Sequence, residues 1–102
     1  MLRLERGVLL HRYKIFETER FSQDPMLIAK GGRRQLMEKL CDHVYPQLKN
    51  EPHFGPNIKR LRGWSPPTWR FRIGDWRFFY ILDEELKAVY MLAASHRKEA
   101  YR

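Results

Sequence analysis

Between Trp69 and Ile73 the chain alternates apolar and basic side chains, Trp69, Phe71 and Ile73 against Arg70 and Arg72, which is the period of a half-buried strand. A β-branched and aromatic run follows at Trp76–Leu82, and only Gly74 and Asp75 separate the two. A Gly-Asp connection of this length suits a tight hairpin with glycine at the position needing positive φ. Such a turn fixes the register: Arg72 falls opposite Arg77, Phe71 opposite Phe78, and Trp69 opposite Tyr80. Arg70, Arg72 and Arg77 then share one face of the hairpin. Trp69, Phe71, Ile73, Trp76, Phe78 and Tyr80 share the other, which is wide enough to cap a hydrophobic core. Like charges directly across a ladder are destabilising, so Arg72 against Arg77 is best explained by an anion lying between them, and phosphate is a candidate. Taken alone, three arginines on the outer side of a sheet in a chain with 20 Lys and Arg are equally accounted for as a solvated face.

The rest of the chain supplies partners for that hairpin. Arg12–Thr18 reads as a strand with Tyr13 and Ile15 facing inward, preceded by a loose extension at Met1–Arg6. Asp24-Pro25 has the form of an N-cap followed by proline at the first helical position, and Gly31-Gly32 would stop that helix. A longer helix begins near Arg33, with Leu36, Met37, Leu40, Cys41 and Val44 at helical spacing. Pro46 is expected to kink or end it. Asn50–Thr68 holds four of the six prolines and two of the six glycines, and so reads as a connector rather than a regular element. Beyond the hairpin, Asp83–Lys87 forms a polar turn, Ala88–Ser95 another strand, and HRKEAYR a basic tail. This order gives a single α+β domain over residues 1–102, an N-terminal strand and two helices packed on one face of an antiparallel sheet of about four strands. The other face is left for the arginines.

Composition narrows the partners. The formal charge is +8, with a sequence pI near 10.0, which favours a polyanion. Residues 57–102 hold ten Lys and Arg against five Asp and Glu, whereas residues 1–56 hold ten against seven, so the excess is heavier where the hairpin lies. Cys41 is the sole cysteine, which rules out an intramolecular disulfide and suits a reducing cytoplasm. Its place among apolar helix positions marks it as a small core residue rather than a nucleophile. No apolar run reaches transmembrane length, and Val8–Leu10 is too short for a signal peptide core, so the expectation is a soluble cytoplasmic chain without a membrane partner.

The four histidines, His11, His43, His53 and His96, show no ligand spacing with one another, with Cys41 or with carboxylates, so no metal is expected. Gly31-Gly32 stands apart from any phosphate-loop or dinucleotide pattern, there is no Gly-x-Ser-x-Gly turn, and no cofactor is expected. What remains is Lys59, Arg60, Arg62, Arg70, Arg72, Arg77, His96, Arg97, Lys98, Tyr101 and Arg102, a set suited to holding phosphate and moving a proton. RNA carries its own nucleophile in the 2′-hydroxyl. A metal-free ribonuclease therefore needs a base for that hydroxyl, positive charge for the phosphorane and an acid for the departing 5′-oxygen. Arginine forks meet the second need. His96 could meet the first or third, since imidazole can serve in either protonation state near neutral pH, and a solvent-exposed or core-edge histidine is the competing reading. Trp64 reads as a loop anchor over the core, with a base-stacking surface as the alternative.

The run WRFRIGDWRFFYILDEELKAVYMLAASHRKEAYR, preceded by EPHFGPNIKRLRG, resembles the RelE/ParE superfamily of bacterial type II toxin–antitoxin toxins. The resemblance covers Glu51 to Arg102 through a Pro-rich loop, the Arg60–Gly63 step, the R-x-R-I-G-D-aromatic-R hairpin and a terminal H-R-x-x-A-Y. The N-terminal half fits in order, through YKIFETERFSQD and a helix ending near NEP. It implies a RelE-like, microbial-RNase-like fold and, in the RelE branch, endoribonuclease cleavage of mRNA in the ribosomal A site, with mRNA, the ribosome and a cognate acidic antitoxin as partners. Carried over by position, the basic residues of the first hairpin strand are Arg70 and Arg72, the second-strand arginine is Arg77, the late arginine Arg97 and the terminal tyrosine Tyr101. RelE has lysines at the two first-strand positions, and arginine is a poor general base. The spacing from the late arginine to the tyrosine is also shorter here. In the catalytic reading Arg72 and Arg77 stabilise the scissile phosphate, Arg70 and Arg97 position the backbone, and His96 and Tyr101 transfer protons. Lys59, Arg60, Arg62, Lys98 and Arg102 add RNA-binding charge. The rival is a ParE-like non-enzymatic inhibitor that binds DNA gyrase, and a catalytically inactive nucleic-acid-binding relative is a third reading. His96 and Tyr101 together near the tail tip the balance toward catalysis.

Overall fold

The computed structural model describes residues 12–24 and 33–97. Strand β1 (Lys14–Glu17) leads into a single helical turn, α1 (Glu19–Ser22). The turn starts because Thr18 is a good N-cap: its hydroxyl oxygen accepts from the Phe21 amide at 3.2 Å, while the hydroxyl donates to the Met91 carbonyl at 2.6 Å. That pair of bonds locks the turn to the sheet and drives Phe21 fully into the core. Asp24 serves the sheet as well, its carboxylate accepting from the Ala94 amide at 3.2 Å. The expected helix from Pro25 to the Gly31-Gly32 stop, and the N-terminal extension, lie outside the described residues.

Helix α2 (Arg33–Lys39) passes through a π-helical turn (Leu40–Val44) into α3 (Tyr45–Asn50). The helix therefore continues through Pro46, where a stop or kink is expected from sequence. The wider turn is the reason: the Tyr45 amide reaches back five residues to the Leu40 carbonyl, which relieves the clash a proline ring makes with the carbonyl one α-turn before it. The π turn also explains the core stripe. Leu36, Leu40, Val44 and Leu48 are all buried, a repeat of four that would drift by about 40° per step on a pure α-helix of 3.6 residues per turn. Cys41 sits one residue off that stripe and is exposed, not a core residue.

Three further strands follow β2 (Ile58–Arg60), namely β3 (Trp69–Ile73), β4 (Trp76–Asp83) and β5 (Ala88–His96). The sheet has five strands in the order β1-β5-β4-β3-β2, rather than about four all antiparallel. Strand β1 runs parallel to β5, with Phe16 beside Tyr90. Strand β2 lies within the stretch read as an irregular connector, and pairs with β3 through Ile58 opposite Phe71, Lys59 opposite Arg70 and Arg60 opposite Trp69. The hairpin has the expected register: Trp69–Tyr80, Phe71–Phe78, Arg72–Arg77 and Ile73–Trp76, around Gly74 at φ +59°.

The helices cover one face of the sheet, and the core lies between. Phe71, Phe78, Tyr80, Val89 and Met91 from the strands meet Phe21, Leu36, Leu40, Val44 and Leu48, with Tyr13 also buried. Tyr80 keeps its hydroxyl satisfied inside this core by donating to the Pro52 carbonyl at 2.7 Å. Strand β5 carries one irregularity of consequence. Phe79 pairs with Ala93 but Tyr80 with Met91, so Leu92 is an extra, bulged residue. A bulge reverses which face the following residues point to.

Candidate functional site

Residues opposite each other in a ladder share a face, so the register reads out, rung by rung, the side of the sheet opposite the described helices. One rung holds Asn57, Arg72, Arg77 and Ser95: the Arg72 amide donates to the Asn57 carbonyl at 2.9 Å, Arg72 lies opposite Arg77, and Arg77 opposite Ser95. The neighbouring rung holds Lys59, Arg70, Phe79 and Ala93. Arg70, Arg72, Arg77 and Lys59 thus gather on a single face, as the hairpin pattern requires for the three arginines. Arg72–Arg77 is one step beyond the Ile73–Trp76 pair that closes the turn, and Arg72 turns its amide toward β2. It is therefore a non-hydrogen-bonded pair, the kind with the shorter separation of about 4.5 Å between Cα atoms.

The electrostatics of this patch are unbalanced. Burial lowers the Arg70 pKa, and the positive charges of Arg77 and Arg72 lower it further. Arginine does not give up its proton in proteins, so the unfavourable interaction stays in the folded chain. The Arg70 Nε is completely buried and makes no hydrogen bond among the described residues. An unsatisfied buried donor costs about 1–3 kcal/mol, and here it lies among three guanidinium groups. A tetrahedral oxyanion at the guanidinium groups would answer the charge.

Several expected members are placed elsewhere. His96 lies opposite Trp76 and stacks edge-on against its ring at 4.8 Å between centroids, on the helix-covered face. The bulge at Leu92 sets this direction: counted without it from Met91 in the core, position 96 would point outward, and with it Ser95 takes that place. Arg60 shares the face of Trp69, with its guanidinium 5.8 Å from the ring centroid, so it too points away from Arg70. Arg62 is exposed in the 61–68 loop, which the Leu61 amide closes on the Thr68 carbonyl at 2.9 Å. Trp64 in the same loop is 57% exposed and is not an anchor over the core. Arg97 is exposed, and its amide donates to the Asp75 carbonyl at 2.8 Å, one rung past Arg77 and Ser95. Lys98, Tyr101 and Arg102 lie outside the described residues. Asn57, Phe79 and Ser95 were not anticipated, since only the pairing of β2 and the bulge in β5 bring them to the arginines.

A second polar cluster sits on the opposite side of β3. His53 is held between two carboxylates, Nδ1 at 2.8 Å from Glu51 and Nε2 at 2.7 Å from Glu84, and its amide donates to Glu51 at 2.9 Å. The Tyr13 hydroxyl donates to the other Glu84 oxygen. Burial works against charging His53, but the bonds to Glu84 and Glu51 prevail and hold its pKa above the ordinary value. The same contacts outweigh burial at both carboxyls and hold them low. This cluster ties the 51–57 loop to the β4–β5 turn. A groove of about 550 Å³ opens beside it, lined by His53, Phe54, Arg60, Trp69 and Ile81 among others, and none of the three arginines lines it. Among the described residues no group of His, Cys, Asp or Glu is arranged to hold a metal ion, and no helix is long and apolar enough to cross a membrane.

No protein-family model matches the chain, and no curated protein matches it in sequence. Solved structures do. The RelBE2 toxin–antitoxin complex from Mycobacterium tuberculosis contains a chain similar at a TM-score of 0.63 and 24% identity, over 84% of this chain and 92% of that one. The RelE–RelB complex from Pyrococcus horikoshii gives 0.58 and 21%, over 84% and 96%. Toxin RelE from E. coli in the free state gives 0.57 and 20%, over 88% of each chain. The fold is that of the RelE toxins.

Proposed function

We propose that this chain is the toxin of a toxin–antitoxin pair and acts as a metal-independent endoribonuclease on mRNA. The observation that carries the reading is the gathering of Arg70, Arg72 and Arg77 on the face of the sheet opposite the described helices, where their like charges disfavour one another. The likeness of the fold to toxins solved with their antitoxins supports it. Arg72 and Arg77 hold the two non-bridging oxygens of the scissile phosphate, and Arg70 adds positive charge beside them. The 2′-oxygen of the substrate attacks phosphorus and gives up its proton. The bond from phosphorus to the 5′-oxygen breaks, and that oxygen takes a proton. The products are a 2′,3′-cyclic phosphate and a 5′-hydroxyl. Guanidinium groups fixed by a sheet stabilise the dianionic phosphorane without having to reorganise, usually the largest part of such catalysis. His96 is not assigned a proton-transfer role, because its ring packs on Trp76 across the sheet. Tyr101 is the group proposed for that work, and Arg97, whose guanidinium keeps its proton, positions the RNA backbone.

The partners follow from the charge. An acidic antitoxin segment neutralises the +8 chain by covering the arginine face, and the ribosome presents the mRNA as a single strand. A purified translation reaction followed by primer extension tests the reading. Discrete cuts in translated mRNA are expected. Intact mRNA together with blocked DNA supercoiling by gyrase would replace it with the non-enzymatic alternative.

A further inference from the structure

Phe16 is a large aromatic side chain left 46% exposed, and it is not isolated. The parallel pairing of β1 with β5 sets it beside Tyr90. The two rings stack at 5.5 Å between centroids with 23° between their planes. Tyr90 lies opposite Ile81 on β4, and Ile81 is four residues from Arg77, so by strand alternation both point to the face that carries the arginines. On a regular β5, Tyr90 and Ser95 would face opposite sides, being five residues apart. The extra residue Leu92 restores them to one face, and this joins the aromatic pair to the arginine rung as a continuous surface.

We propose that Phe16 and Tyr90 form a stacking platform for a nucleobase of the single strand whose phosphate is held by Arg70, Arg72 and Arg77, an inference that rests on the nuclease reading above. Strand geometry sets the platform about 13 Å along β4 from Arg77 and about 5 to 10 Å across the sheet, a span of a few nucleotides. Stacking suits this position because every base offers a π-face while the backbone follows positive charge. Lys14, two residues before Phe16 and so on the same face, adds a cation beside the platform. A cation thus stands at each end of the surface from Lys14 to Arg77, with the rings between them.

Anisotropy of a labelled 2′-O-methyl RNA, which lacks the nucleophilic hydroxyl, tests this against an abasic oligomer of the same length. Phe16→Ala should weaken binding of the base-bearing strand by roughly five- to a hundredfold and leave abasic binding unchanged, while Phe16→Trp restores it. Arg77→Ala should weaken both strands. Equal loss on both strands for Phe16→Ala, or no loss on either, overturns the platform while leaving the arginine site standing. Loss of co-purification with an acidic partner protein and no change in RNA binding would overturn it in favour of a protein-docking face. If the parent binds neither strand, the nucleic-acid reading falls and the platform with it.

Discussion

Replacing Arg77 with alanine separates a solvated surface charge from a working one, because the two predict opposite results for stability and activity. Arg77 lies opposite Arg72 in a close, non-hydrogen-bonded pair and adds to the charge that depresses the Arg70 pKa. Like charges across a ladder cost up to about 1 kcal/mol, and removing one relieves that cost without opening a cavity, since the core-facing residues of the hairpin are its neighbours Trp76 and Phe78. The Tm of Arg77→Ala should therefore stay level or rise, by at most about 4–8 °C per kcal/mol for a domain of this size. Cleavage should fall by about a hundredfold or more, the scale for losing one preorganised donor to a developing oxyanion, or roughly 2.7 kcal/mol of barrier. Arg77→Lys keeps the charge but loses the two-pronged geometry and should fall between parent and alanine. Inorganic phosphate should raise the Tm of the parent by preferential binding to the folded state, and raise that of Arg77→Ala less. Cleavage would be followed by primer extension on translated mRNA and stability by thermal melts. An alanine variant as active as the parent, with an undiminished response of its Tm to phosphate, would refute the assignment of the anion site.

His96→Ala should change cleavage by no more than a few-fold while lowering the Tm, because the ring packs against Trp76 on the helix side; a loss of roughly 10²-fold or more in rate with an unchanged Tm would restore it to the site. The His53 cluster predicts a stability dependence on pH. His53 has a raised pKa, so its contribution is full below the ordinary histidine value of about 6.5 and is lost as pH rises through the folded value; Glu51 and Glu84 have lowered pKa values, so theirs is full above about 4.3 and is lost as pH falls through the folded values. The Tm gap between parent and His53→Gln should accordingly be widest in weak acid and narrow above neutral pH, and a gap that widens with pH would contradict it. RNA affinity should fall with a log–log salt slope of about −0.7 per phosphate contacted, and a flat profile would argue against the arginine face.

The hairpin was legible because a two-residue turn leaves one register, and that register alone decides that Arg70, Arg72 and Arg77 share a face. Tyr13 and Ile15 were legible for the same local reason, the alternation that runs from Tyr13 into β1. Pairings made at a distance were not. Strand β2 is three residues long in a stretch whose prolines and glycines signal a loop, and only its ladder with β3 makes Lys59 a neighbour of Arg70. The run Ala88–Ser95 reads as a plain strand, so nothing in its sequence reveals the bulge at Leu92 that carries His96 away from the arginines and Ser95 toward them. Pro46 signals a helix end by its own chemistry. The π turn that absorbs it depends on the core stripe from Leu36 to Leu48, a demand of packing rather than of propensity. Arg60 has the same charge as Lys59, and its opposite direction follows from parity within a strand that was not foreseen.

The central claim is that the guanidinium cluster serves in-line attack by the RNA's own 2′-hydroxyl, without a metal. The most direct measurement places a single 2′-deoxynucleotide on the 5′ side of a mapped cut in a translated message, with the ends of the products identified by mass and the isolated RNA step repeated in a chelator. The account predicts a 2′,3′-cyclic phosphate and a 5′-hydroxyl on the all-ribose message, no cut at the substituted position, and no effect of the chelator on cleavage. Cutting that persists at the deoxy position, or that stops with the chelator, would contradict it.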